Sequence, residues 1–297
     1  MNDSPNMKMR CAVIGSQGFI GRHLEYYLKK WGHDVKSYDL NGDNCQRVDM
    51  TDKQSAQQLD LSVDYVFMFA GLTGTYSGFD AYEKFIYTNE LSLLNLLDAI
   101  RQSAFRPKVV FPSTRLVYKG CDKPLKEEDE KDSKTVYAVN KLACEGYLRA
   151  YSDSFDIPYT IFRICVPYGN LLSADYSYGT VGSFIKQAKI GKVISLYGGG
   201  TVKRTFTHME DLCYQVTHGA FHPDSTGNIY NIGGESLSLH DAAMIIARKY
   251  GATLTTVPWP KIDLRIESGH TYFDDSKIRA LLKRESNKRL EDFVNDL

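Results

Sequence analysis

The residues of this chain best suited to moving a proton are a tyrosine and a lysine in the stretch Tyr137-Ala138-Val139-Asn140-Lys141. The segment predicts the first turns of a helix, where side chains four apart share one face. A phenol is a poor base in water, with an ordinary pKa of about 10, but a fixed ammonium beside it favours the phenolate and draws that value towards neutrality. Such a pair is a proton-transfer device. Taken alone, an ordinary solvated helix face is the better account of it, so its meaning depends on the elements around it.

Upstream, Lys8 to Ile14 is apolar in the manner of a buried strand and runs into Gly15-Ser16-Gln17-Gly18-Phe19-Ile20-Gly21, followed by a helical stretch from Arg22 to Trp31. In a strand-turn-helix unit the first glycine permits the tight turn, the second lets backbone approach a pyrophosphate, and the third allows close helix-sheet packing. The turn segment from Gly15 to Gly21 is therefore a candidate cofactor loop, its phosphates at the helix N-terminus. A glycine-rich turn without a ligand is the alternative. A second strand, Asp34 to Tyr38, ends in Asp39, about 20 residues past the glycines, where a dinucleotide fold places the acid that binds a ribose 2'-hydroxyl. No Arg or Lys follows until Arg47, which favours NAD over NADP. Asp49, in Val48-Asp49-Met50-Thr51-Asp52, is open to two readings, an adenine contact or membership of a polar cluster that caps a helix.

Val63 to Ala70 reads as a strand bounded by Gly71, followed by a glycine-containing loop and a long helical run from Tyr82 to Ser103. Its leucines cover more than one face, so it is buried against the sheet or another subunit. Lys108 to Phe111 forms another strand that delivers Ser113 and Thr114 at its carboxyl end, the edge where open parallel sheets bind ligands. The charged loop from Lys119 to Lys134 reads as a solvated connection leading into Tyr137.

Composition narrows the class. The chain has 297 residues, 43% apolar and 24% charged, with 36 basic and 36 acidic side chains. That balance gives no reason to expect nucleic acid. The six scattered cysteines show no metal-like clustering with the seven histidines, so no metal is expected and the thiols read as reduced, in a cytoplasmic protein. No apolar run reaches the ~18 residues of a membrane helix, and the polar start from Met1 to Met7 reads as a loose tail without the apolar core of a signal peptide.

In order and spacing, Gly15-x-x-Gly18-x-x-Gly21, Asp39, Asp49, Ala70-Gly71, Ser113-Thr114-Arg115-Leu116-Val117-Tyr118 and Tyr137-x-x-x-Lys141 resemble the extended short-chain dehydrogenase/reductases, in the branch of nucleotide-sugar epimerases, dehydratases and reductases. The likeness continues through Arg163 to Gly169, Gly198 to Asp211 and Tyr230 to Gly234. It implies an α/β fold: a Rossmann-type doubly wound parallel sheet with a smaller C-terminal α/β substrate lobe. The expected boundaries are 1–166 for the NAD-binding domain, with the chain returning to it at about 204–232, and 167–297 for the lobe.

The resemblance also implies roles. Tyr137 would be the general acid/base, Lys141 would hold the nicotinamide ribose and lower the tyrosine pKa, and Thr114 would hydrogen-bond the reacting sugar oxygen. Gly15, Gln17, Gly18, Phe19, Ile20, Gly21, Asp39, Asp49, Met50, Ala70 and Gly71 would join Tyr137 and Lys141 around NAD. Thr73, Arg115, Arg204 and Arg265 would meet a nucleotide-diphosphate sugar, Arg204 at its phosphates. His208 is expected to be structural. The relatives' asparagine three residues after Arg163 is here Val166, and the Asp-Glu pair of dehydratases is here Arg115-Leu116, which disfavours dehydration. The reading that follows is an NAD-dependent nucleotide-sugar epimerase acting at C4 through a transient keto sugar, as a homodimer joined through the helices at 82–103 and 137–151. The alternatives are an NAD(P)H-dependent 4-keto-6-deoxy-sugar reductase and a dinucleotide-binding sensor without catalysis. Retention of Thr114, Tyr137 and Lys141 speaks against the sensor. The sugar itself would be read by loops at 72–82 and 168–180.

Overall fold

A computed structural model describes residues 8–42, 44–170, 178–286 and 288–297. The expected tail at 1–7 and residues 171–177 of the expected sugar-reading loop lie outside them. The described strands are β1 (Arg10–Ile14), β2 (Asp34–Asp39), β3 (Gln46–Arg47), β4 (Tyr65–Met68), β5 (Lys108–Thr114), β6 (Tyr159–Ile164), β7 (Val166–Tyr168), β8 (Val193–Tyr197), β9 (Lys203–His208), β10 (Asn228–Asn231), β11 (Glu235–Ser238) and β12 (Thr253–Val257). The chain divides into two units. One comprises Met1–Ser113, Val139–Phe162 and Ala220–Ile229, and the other Thr114–Ala138, Arg163–Gly219 and Tyr230–Leu297.

The first unit is built on a seven-stranded sheet of order β10-β6-β5-β4-β1-β2-β3. Its central pairs are parallel, with Ile14 opposite both Tyr38 and Met68. The order reverses between β1 and β4, which makes their carboxyl ends the switch point at which doubly wound sheets hold ligands. Strands buried on both faces must be apolar throughout; β5 is buried at all seven positions, and Val109, Phe111, Ile14, Val66 and Met68 join the core. Lys108 opens β5 inside this apolar layer, and its ammonium donates to the Ala220 carbonyl and the Ser225 hydroxyl. The doubly wound parallel fold expected from the motifs is the one found.

The leucine-rich run differs from its expected form. It is an α-turn at Tyr82–Phe85, a π-helical stretch at Ile86–Leu91 and an α-helix at Ser92–Gln102. Leu93, Leu96, Leu97 and Ile100 bury into the sheet core, as their spacing demands. The π stretch carries Asn89, which is buried and clamps the loop after β4: its Oδ1 accepts from the Leu72 amide at 2.8 Å and its Nδ2 donates to the Leu72 carbonyl. Widened turns of this kind recur at functional sites.

The second unit holds a three-stranded sheet, β11-β9-β7, and a parallel pair, β12-β8. Val166 starts β7 opposite Phe206 and is buried there, so the position where relatives carry asparagine is part of the core. Ser238 caps the Leu239–Tyr250 helix through the Asp241 amide. The charged loop is not simply solvated. Leu125 and Glu127 are buried, and Glu127 Oε1 accepts from the Asn231 amide at 2.7 Å. Arg163 completes this polar network by donating to the Tyr118 hydroxyl and the Glu127 carbonyl. Burial pushes the Glu127 carboxyl pKa up. The flanking Lys126, Glu128 and Glu130 remain exposed. Among the described residues no helix is long and apolar enough to cross a membrane.

Candidate active site

The glycine turn is determined by close approach. Gly15 has φ +87, and a Cβ on it would lie 2.4 Å from the Ala70 amide nitrogen at the end of β4; a Cβ on Gly21 would lie 2.0 Å from the Gly15 carbonyl oxygen. Only glycine fits either place. The amides of Gly15 and Ser16 both donate to the Tyr38 carbonyl, which ties the turn to β2. Gly18 is the N-cap of the Phe19–Lys30 helix and supplies no side-chain cap, so the first-turn amides face outward with the positive end of the helix dipole. The Ser16 hydroxyl is buried with no protein partner. Phe19 packs its ring against His23, and both Phe19 and Ile20 are part-buried at the helix start.

Asp39 closes the turn from the other side. Its carboxylate accepts from the Gln17 amide at 2.9 Å and the Asn41 amide at 3.1 Å. A second feature was not legible from spacing: Arg47 is the direct partner of Asp39 across the β2-β3 pair. Distance along the chain had suggested that no cation stood near this acid, and the short strand β3 brings one back. The carboxylate still faces the turn and disfavours a 2'-phosphate by charge. Asp39→Ser should therefore lower affinity for NAD and, with Arg47 retained, raise the NADP-to-NAD affinity ratio by at least about 30-fold. Titration with both dinucleotides checks this, and an unchanged ratio would contradict it.

Asp49 uses one oxygen to accept from the Thr51 amide and hydroxyl. Within the same polar cluster Asp52 caps the Lys53–Ala56 helix through the Gln54 amide. Met50 is buried beside this turn, its carbonyl held by Asn95.

Beyond β4, Ala70 and Gly71 lead into the loop held by Asn89. Lys141 reaches the same place: a Cβ on Gly71 would be 3.0 Å from Asn89 Oδ1 and 3.9 Å from Lys141 Nζ. The ammonium also stands 4.4 Å from the Phe111 ring centroid. Lys141 is 5% exposed, and burial pushes its pKa down to about 8 despite Cys144 and Glu145 nearby. Sequence reasoning passed over Asn89; the available signal was a polar residue within an otherwise leucine-rich helical run. Asn89→Leu removes both partners of Leu72 and is expected to destabilise the protein by about 1–3 kcal/mol. A denaturant titration reads this, and an unchanged midpoint would count against the clamp.

Tyr137 and Lys141 lie one turn apart on the Val136–Phe155 helix. That helix starts where the Thr135 hydroxyl accepts from the Ala138 amide, an N-cap bond that puts Tyr137 in the first turn, 8% exposed. At the end of β5, Ser113 is engaged with Glu145, whereas Thr114 holds the following turn by accepting from the Leu116 amide.

In the second unit Arg115 and Arg204 converge on Thr271. Arg115 donates to the Thr271 hydroxyl at 2.9 Å, and Arg204 is bridged to Thr271 through backbone. Arg204 is 2% exposed; it pairs with Glu267 at 2.6 Å and donates to the carbonyls of Gly269 and Lys203. Arg265 is exposed on the short Lys261–Ile266 helix, and Thr73 is exposed in the loop after Gly71. His208 accepts from the Glu210 amide and packs its ring against Tyr168 and Phe293.

The residues around the switch point fit a dinucleotide. The turn has no room for a side chain at Gly15 or Gly21, the helix N-terminus is uncapped, the Ser16 hydroxyl is partnerless and Asp39 is in place.

Comparison with known proteins agrees. The family model described as "NAD dependent epimerase/dehydratase family" matches residues 11–233. A UDP-N-acetyl-alpha-D-glucosaminuronate decarboxylase of Bacillus cytotoxicus is 29% identical over 278 residues, covering 86% of this chain and 85% of the relative. An uncharacterized UDP-glucose epimerase of Bacillus subtilis, YtcB, is 28% identical over 306 residues, covering 96% and 95%. Among solved structures, the Thermus thermophilus UDP-glucose 4-epimerase complexed with NAD superposes with a TM-score of 0.84 at 24% identity, over 96% of this chain and 97% of that one. With the fold and the matched span in agreement, the chain belongs to the NAD dependent epimerase/dehydratase family, enzymes of the extended short-chain dehydrogenase/reductase type.

Proposed function

We propose that this enzyme interconverts nucleoside-diphosphate sugars epimeric at C4. The observation that carries the reading is the placement of Lys141. Its ammonium is buried beside Gly71 at the switch point and stands one helical turn from Tyr137. The Gly15 to Gly21 turn, Asp39, Met50, Ala70, Gly71 and Lys141 would hold NAD, which would supply a reversible hydride acceptor. The chain supplies proton management and orientation. Tyr137 takes the proton of the sugar 4-hydroxyl as the C4 hydrogen leaves, then returns it to the 4-keto oxygen after the sugar has presented its other face. Lys141 favours the phenolate by charge, and Thr114 donates to the reacting oxygen. Arg265, exposed on its short helix, meets the phosphates; Arg204, expected there, is buried with its guanidinium taken by Glu267 and the Gly269 and Lys203 carbonyls. No external reductant is consumed, which matches a site built for NAD rather than NADP.

Incubating the protein with a panel of nucleotide sugars and analysing products by mass and by NMR tests this. An isomer of unchanged mass is expected. Loss of carbon dioxide would instead match the chemistry named for the Bacillus cytotoxicus relative, and stoichiometric use of NADH would make the enzyme a reductase.

Exposed Tyr82, Ile86 and Tyr87 on the first helical run, with Val139 on the second, support a homodimer through these helices. Sedimentation as a stable monomer would remove it. The six cysteines are free thiols, which suits a cytoplasmic enzyme.

A further inference from the structure

Among the described residues no carboxylate lies within ion-pair distance of Arg115, a guanidinium of the second unit. It opens the short turn that follows Thr114, is part-buried, and donates only to a neutral hydroxyl, that of Thr271. The adjoining Arg204 meets Thr271 through backbone alone, its guanidinium turning to Glu267, which is the carboxylate paired with it. Burial and the charge of Arg204 push the Arg115 pKa down to about 10, the response of a cation short of negative charge. A part-buried guanidinium in that state is a ready receptor for an anion, because its forked donors match a carboxylate or a phosphate.

Position decides which anion. Arg115 opens the turn that Thr114 closes by accepting from the Leu116 amide, and the proposed reaction places Thr114 at the reacting sugar oxygen. The Arg115 charge therefore acts at the reacting end of the sugar. In a nucleotide sugar the diphosphate hangs from C1, on the far side of the ring from C4. An anionic group beside C4 has one source in a hexose skeleton, a carboxylate at C6, which C5 carries next to the reacting carbon.

We propose that the sugar taken by this enzyme is a hexuronate, and that Arg115 receives its C6 carboxylate. This rests on the C4 epimerase reading. The carboxylate completes the charge balance that Glu267 leaves unfinished, and it fixes the ring so that C4 is presented to Tyr137 and Thr114. Leu116, next in the chain, adds no acid that would repel it.

The test compares UDP-glucuronate with UDP-glucose, and with UDP alone as the diphosphate control, on the NAD-loaded wild type, Arg115→Gln and Arg115→Lys. Wild type is expected to favour the uronate in kcat/KM by at least about 100-fold. Arg115→Gln should cut the uronate-to-glucose ratio by at least about 30-fold, in keeping with a lost charge-assisted pair. Arg115→Lys should restore part of that ratio, and affinity for UDP should not follow it. The proposal is overturned if wild type prefers the neutral sugar, if the ratio stays constant while both activities fall, or if UDP affinity drops as far as uronate affinity does, which would give Arg115 to the diphosphate. Should wild type turn over neither sugar, the epimerase reading fails by itself. Calorimetric binding of the same pair then decides the inference: uronate selectivity that Arg115→Gln abolishes sustains it, and equal affinities overturn it. Melting curves confirm that each variant is folded.

Discussion

Tyr137→Phe lowers turnover by about a thousandfold while leaving the protein folded and able to bind NAD. The expected size follows from removing a positioned acid/base, which is worth roughly 10²–10⁴ in rate. Phenylalanine keeps the ring in the first turn of the Val136–Phe155 helix, where Tyr137 is 8% exposed, and the Thr135 cap does not depend on the hydroxyl. The loss should appear in kcat more than in KM, since the proton transfer belongs to the transition state rather than to binding. A variant that binds NAD and its sugar yet turns over at the wild-type rate would remove Tyr137 from the chemistry.

Lys141→Met is the second large effect, and it should move activity and stability in opposite directions. Activity falls by about a hundredfold or more, because the phenolate loses its nearby charge and the cofactor loses a donor. Stability of the apoprotein should rise. The lysine pKa is pushed from its ordinary 10.5 to about 8 by burial, so the folded state disfavours the charged form. The sign follows from proton counts: between about 8 and 10.5 the unfolded chain binds more protons than the folded one, so stability increases with pH across that window. Below about 8 the cost is present in full, on the order of 3 kcal/mol, and the methionine variant escapes it. Urea titration at pH 7 and at pH 10 reads this directly. The gain from the variant should be larger at pH 7, and equal stability of wild type and variant at pH 7 would contradict it. The same titration implies that wild-type turnover declines as pH rises through about 8, where Lys141 gives up its charge.

The parts of the fold that could be read from sequence are those in which local chemistry leaves few options. Gly15 and Gly21 sit where backbone meets backbone, so their spacing announces the turn. Asp39 ends a strand whose length sets its distance from that turn, and Thr135 caps the helix that carries Tyr137. What escaped has long-range causes. The leucine period runs straight through the π stretch, so nothing local shows that Asn89 turns inward to hold Leu72. Strand β3 has two residues, too few to register as a strand, and so Arg47 looked remote from Asp39. Glu127 sits in a run of charges that ordinarily faces water, and its burial depends on the Asn231 amide, 104 positions away. The meeting of Arg115 and Arg204 at Thr271 likewise joins segments that no local pattern connects.

The fate of the C4 hydrogen tests the central claim most directly. With a nucleotide sugar deuterated at C4, epimerisation by hydride removal and return predicts a product that keeps its deuterium at C4, in ordinary water, over many turnovers. Loss of that label to solvent would show that the carbon is deprotonated instead, and would contradict the assignment of Tyr137 to the hydroxyl proton and of the dinucleotide site to the hydride.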